Sequence, residues 1–397
     1  MRNKLIITIA FLTCTLNVVA QTLDINLSDP QRTRVLKTRG LDAPTSTVLW
    51  KTEKLFVFRA SNSFSMQNGP FTIFGDIPTF HEFSVPIVAG DLLYFTYVTG
   101  NGYLYAIERA TGKQLVTLQF DKNPVSRPAA KDNIVFFGSE RGQVHAYDVR
   151  TRNEKWTFLD KDHSFAGIAP VLDRELLYFS SFERGLYAFV AETGEVKWLF
   201  KSSKWVYASS LGDRVMALVY PDHLVALNRD TGAKVWDLSV GRDTFAPALV
   251  GDQIILAYRS GDIRSYSAVD GSLQWKLKDA PRTGTGVAVY EGLIYYSGRE
   301  HSLIGLDART GVEKLRFKTT RRCLSPVITA PQDGSGSLAQ SALLYVRCHD
   351  NKLYALKAQT LMPVWQLDNR KSIPPPVVFA DGVMYSLGDD GYMFAIK

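Results

Sequence analysis

The chain has 397 residues and a formal net charge of +7. At ordinary domain lengths that size would mean two or three domains, but an internal repeat assigns nearly all of it to one. The basic excess is mild and belongs to no nucleic-acid-binding module, so no nucleic acid is expected as a partner.

Residues 1–20 read as a signal peptide. Arg2 and Lys4 give a positive start, Leu5 to Leu16 an apolar core, and Val18-Val19-Ala20 a small-residue exit. The apolar stretch is short and poorly flanked for a membrane anchor, so no transmembrane segment is expected in the mature chain. A lipidated Cys14 is the rival reading, although Thr13 and Phe11 fit that pattern poorly. Under either reading the protein is exported to the periplasm or cell envelope, and peripheral membrane association stays open. Residues 21–46 form an extended N-terminal lead. Its Arg32, Arg34, Lys37 and Arg39 make either a solvated basic arm or a contact for an acidic surface.

From there one phrase returns eight times, at intervals of 38 to 50 residues. Its small central residue falls at Ala106, Ala146, Ala188, Ala226, Ser265, Gly305, Ala355 and Ala395. Five residues later, in seven of these, comes Thr or Asp, usually followed by Gly, as in Thr193-Gly194. Ten residues later stands Trp156, Trp198, Trp236, Trp275 or Trp365, with Val116 and Leu315 as substitutes. Each unit reads as four short strands of Val, Tyr, Phe and Leu separated by Gly, Asp and Asn. A period near 40 in an all-β chain specifies a β-propeller: eight blades of four antiparallel strands, occupying residues 47–397 as one domain.

Several details fit that architecture. Pro86, Pro128, Pro170, Pro247, Pro326 and Pro376 fall in the first strand of their units, where a missing amide donor is tolerated at an edge or a strand's start. The last unit stops after its third strand. Residues 47–58, with Trp50 in the Trp position, supply the closing fourth strand and remove the open edge. Residues 59–83 form an inserted loop with Phe64, Met66, Phe71, Phe74 and Phe80, which either dock a partner or pack down on the first blade. In the seventh unit, a hairpin centred on Ser335-Gly336 sets Cys323 opposite Cys348, and a disulfide is the expectation in an exported protein.

The phrases Leu104-Tyr105-Ala106-Ile107 with Thr111-Gly112, Leu186-Tyr187-Ala188-Phe189 with Thr193-Gly194 and Trp198, and Leu353-Tyr354-Ala355-Leu356 with Trp365 resemble the quinoprotein-type, PQQ-like propeller repeat. The resemblance covers residues 84–397 and the Trp50 strand. It implies the fold and leaves the function open, because the family holds PQQ- and calcium-dependent dehydrogenases, sensor domains and the cofactor-free BamB scaffolds. The layout looks most like BamB, the scaffold of outer-membrane β-barrel assembly, except that BamB proteins are typically lipoproteins. The dehydrogenases carry an adjacent Cys-Cys pair, which this chain lacks. Asp389-Asp390 reads as a solvated turn. There is no Gly-x-Ser-x-Gly elbow, and the histidines show no metal-ligand spacing.

Three function classes follow. The favoured one is a non-catalytic scaffold, with no cofactor or metal, that binds a protein partner drawn from the outer-membrane barrel assembly components. The alternatives are an extracytoplasmic propeller that binds a ligand or glycan, and a degenerate PQQ-dependent dehydrogenase. The turns between second and third strands ring one face, and Arg184, Arg259, Arg299 and His301 on them are the expected partner-binding residues.

Overall fold

The computed structural model describes residues 23–24, 48–52, 82–83, 86–99, 101–120, 126, 128–139, 142–163, 165, 170–181, 184–211, 213–219, 222–242, 244–245, 247–258, 260–277, 287–298, 301–323, 327–329, 342–350, 352–368, 376–380, 383–387 and 393–396. The signal segment, most of the inserted loop, the 331–340 stretch, Arg259, Arg299 and Asp389-Asp390 lie outside them.

Among the described residues every regular element is a strand, and the strands fall into eight antiparallel sheets. In sequence order the sheets span 82–120, 129–159, 171–201, 206–239, 248–277, 288–318, 327–368 and 376–396, and are called sheets 1 to 8 below. Sheet 3 shows the plan. Val171–Asp173, Leu176–Ser181, Gly185–Val190 and Val196–Lys201 pair in that order as a meander. Its second and third strands are buried almost throughout, while the outermost strand is half-exposed. The prolines stand where a donor is dispensable: Pro128, Pro170 and Pro247 immediately precede a first strand, and Pro376 begins one.

The ten-residue spacing of the repeat has a definite structural meaning. Ala146 pairs with Trp156, Ala188 with Trp198, Ala226 with Trp236, Ser265 with Trp275, and Ala355 with Trp365. Directly beyond each pair the register shifts, so one extra residue in the fourth strand forms a bulge. Ala106–Val116 and Gly305–Leu315 keep the same register without a Trp.

The buried clusters are shared between consecutive sheets. Phe136, Val144 and Ala146 of sheet 2 pack with Phe179, Tyr187 and Phe189 of sheet 3. Leu176 and Trp198 of sheet 3 pack with Val206 and Val225 of sheet 4. The ring closes the same way, since Leu93, Phe95 and Ile107 of sheet 1 share a core with Tyr385, Met393 and Ala395 of sheet 8. Val48–Lys51 completes sheet 8 at its outer edge, pairing Trp50 with Ala395 in the register of the other Trp–Ala pairs. Leu23–Asp24 adds a short strand at the opposite edge of that sheet. Arg109 of sheet 1 fastens the seam, donating from Nε to the Tyr385 hydroxyl at 3.2 Å.

Candidate partner-binding rim

The sheets have two rims. One is built from the turns between third and fourth strands, and its work is internal. In the turn 228–232, Asn228 Oδ1 accepts from the amides of Asp230 and Thr231 at 3.0 and 2.9 Å and from the Thr231 hydroxyl at 3.0 Å. Asp307 repeats this with Arg309 and Thr310. Gly232 follows at φ 68°, and an added Cβ there would lie 2.6 Å from the Trp198 ring of the preceding sheet. Gly194 meets Trp156, and Gly311 meets Trp275, in the same way. Each indole then donates from Nε1 to a carbonyl of the next sheet: Trp156 to Ala191 at 2.9 Å, Trp198 to Arg229 at 2.8 Å, Trp275 to Ala308 at 2.8 Å. The Gly and the Trp of the repeat are therefore one joint, made between neighbouring sheets.

Arg229 reinforces this rim. Its guanidinium, 6% exposed, lies 3.0 Å from Asp173, 2.8 Å from Glu175 and 3.1 Å from Asp230. The Arg229 hydrogen bond holds the Glu175 carboxyl below the usual carboxylate range.

The other rim carries the turns between second and third strands and the links from sheet to sheet. Arg184 and His301 both stand on it and are exposed, whereas Arg259 and Arg299 fall outside the described residues. Arg184 is 47% exposed and sits 3.8 Å from Asp160, a carboxylate of the preceding sheet that is only 10% exposed. Asp160 also accepts from the Tyr187 hydroxyl at 2.6 Å and lies 3.0 Å from His163 Nδ1. Burial raises the Asp160 pKa, but the hydrogen bonds from Tyr187 and His163 outweigh it and hold the group below its ordinary value. His301 has a left-handed backbone, φ 55°, and its carbonyl accepts from the Thr319 amide at 2.6 Å. His223 pairs with Asp237 at 2.9 Å. Among the described residues, no three His, Cys, Asp or Glu side chains gather as a metal site would need.

Cys323 and Cys348 also reach this rim. They face each other in an isolated antiparallel bridge, Cα atoms 3.8 Å apart, with the sulfurs within bonding distance. The neighbouring register differs by one residue from the expected hairpin: Val327 pairs with Tyr345, where a hairpin centred on Ser335-Gly336 would set it opposite Leu344. Sequence reasoning passed over Asp160, because an acidic residue beside Lys161 and Asp162 reads as another solvated turn. It also passed over Arg321 and Arg322, which stand in a link between sheets.

The family model described as outer membrane protein assembly factor BamB matches residues 37–169, 160–278 and 259–395. The chain belongs to that family. A BamB from Burkholderia pseudomallei is 24% identical over 251 residues, which is 57% of this chain and 63% of that relative. Thus the match spans less than two thirds of the relative's length. Among solved structures, BamB from Moraxella catarrhalis superposes with a TM-score of 0.59 at 13% identity, covering 80% of this chain and 98% of that one. A quinohemoprotein alcohol dehydrogenase from Pseudomonas putida HK5 gives 0.57 at 13% identity, covering 79% of this chain and 73% of that one. Identities that low establish the propeller fold and leave chemistry undecided. No helix of the described residues is long and apolar enough to cross a membrane.

Proposed function

We propose that this chain is an exported, non-catalytic propeller scaffold that serves outer-membrane β-barrel protein assembly. On this reading residues 1–20 direct export, residues 21–46 form a lead, and the eight sheets over 47–397 are the eight blades of one ring. Cys323 and Cys348 become a disulfide in the oxidising envelope. The partner is a protein of the barrel-assembly machinery, and no cofactor is required. The family match across residues 37–395 is the observation that carries the reading.

The rim of Arg184, Arg259, Arg299 and His301 is the proposed contact face. The opposite rim is already occupied by the Trp–Gly joints and the Arg229 cluster, which leaves it less to offer a partner. Arg184 and His301 are presented on turns held by Asp160, Tyr187 and Thr319, so little ordering entropy is lost on docking. Affinity capture from crosslinked cell envelopes, read by mass spectrometry, tests the assignment. Recovery of a large outer-membrane barrel with its companion lipoproteins is the expected outcome; reproducible recovery of nothing would refute it.

A further inference from the structure

The described start of the link from sheet 6 to sheet 7, residues 319–323, is fastened at several points. The Thr319 amide donates to the His301 carbonyl at 2.6 Å, and the Thr319 hydroxyl to the Arg321 carbonyl at 2.8 Å. Thr320 donates to Asp350 at 2.8 Å, the His349 amide donates to the Arg322 carbonyl at 2.8 Å, and Cys323 faces Cys348. The segment is thereby pinned to the turns of both sheets. Its side chains Lys318, Arg321 and Arg322 are exposed, as are His301 and His349 beside them. Beside them, the Asp350 carboxylate accepts from Thr320, the Tyr354 hydroxyl and the Lys352 amide. The far rim of sheet 6 and its neighbour is balanced instead, with Glu291, Asp307 and Glu313 against Arg309, Lys314 and Lys357.

We infer that residues 318–323 form a preorganised basic platform that docks an acidic stretch of the protein partner. The inference rests on the scaffold reading and names the chemistry of the partner. Two adjacent guanidiniums on a fixed backbone suit a run of Asp and Glu carboxylates, each approached by a planar fork of donors. Because the backbone is already held, association orders mainly the arginine side chains.

The test uses the purified mature protein and a fluorescein-labelled glutamate-rich peptide, followed by anisotropy at low and at physiological salt. Arg321→Glu with Arg322→Glu should weaken peptide binding by about tenfold or more. Arg309→Glu with Lys314→Glu, the same charge change on the far rim, should leave it within about twofold. If the reversed pair unfolds, Arg321→Gln with Arg322→Gln serves, with a smaller loss expected. Equal binding by the platform variant and the wild type would overturn the inference, as would an equal loss from the far-rim variant. Envelope capture separates the two proposals. Undiminished capture by the Arg321, Arg322 variant removes the platform and leaves the scaffold. Peptide binding by a wild type that captures no envelope protein removes the scaffold and leaves the platform.

Discussion

Trp198 and Gly232 make the residue-scale case. The indole is buried, hydrogen-bonded to Arg229 and seated where Gly232 has no Cβ. Trp198→Ala should cost about 3–5 kcal/mol in urea-induced unfolding, since it opens a cavity between two sheets. Gly232→Ala should cost about 1–3 kcal/mol, because it adds a clash with the ring to the left-handed strain. Gly251→Ala, at φ 57° with nothing within 4 Å of the added carbon, carries the strain alone and should cost less. In the Trp198→Ala background the clash vanishes, so the double variant should be less destabilised than the two single costs combined. Both residues were legible in the sequence as separate signals, a turn glycine and a large apolar face. Their union across sheets was not, because residues 198 and 232 meet only after two sheets have formed and stacked. Arg229 gives the pH prediction. Glu175 titrates below its ordinary 4.5 in the folded state, chiefly through its hydrogen bond to Arg229. Its contribution is therefore present above that value and is lost as pH falls through the folded pKa. Arg229→Met should flatten the acid limb of the stability profile as pH falls below 4.5, the ordinary value for Glu175, measured by thermal melting.

At the scale of elements, the bulge after each Ala–Trp pair explains why the repeat spacing is constant even where the Trp is replaced. Val116 and Leu315 occupy the same register opposite Ala106 and Gly305, so the backbone pattern survives the loss of the side chain that marks it. The spacing was readable in the sequence, whereas the bulge was hidden, since an extra residue in one strand leaves the hydrophobic pattern nearly unchanged. In sheet 7 the expected register holds at Cys323 and Cys348 but differs by one residue at Val327, for a related reason. A symmetric centre at Ser335-Gly336 assumes one register throughout, whereas Cys323 faces Cys348 and Val327 pairs with Tyr345. The closing strand carries its own prediction. Without residues 48–52 the third strand of sheet 8 would present an unpaired edge, and such an edge recruits other chains. The deletion variant should melt at a lower temperature and form concentration-dependent oligomers on size-exclusion chromatography. A monomer with unchanged melting would show that the strand contributes nothing to closure.

Across the whole molecule, the two rims have divided labour. One is spent on joints between sheets, through the Trp–Gly contacts and the Arg229 cluster. The other holds exposed basic side chains on turns that are themselves firmly tethered. This division was only partly legible in the sequence: strand order placed Arg184 and His301 on a common face, but the tethering by Asp160, Tyr187 and Thr319 depends on neighbouring sheets. The central claim is that the tethered rim docks a barrel-assembly partner, and site-specific photocrosslinking in intact cells tests it most directly. A photoreactive residue would be placed at positions 184 and 301 on that rim, and at positions 192 and 309 on the other. Adducts to an outer-membrane barrel-assembly component from 184 and 301, and none from 192 and 309, are the predicted result. Adducts confined to the opposite rim, or to no envelope protein at all, would contradict it.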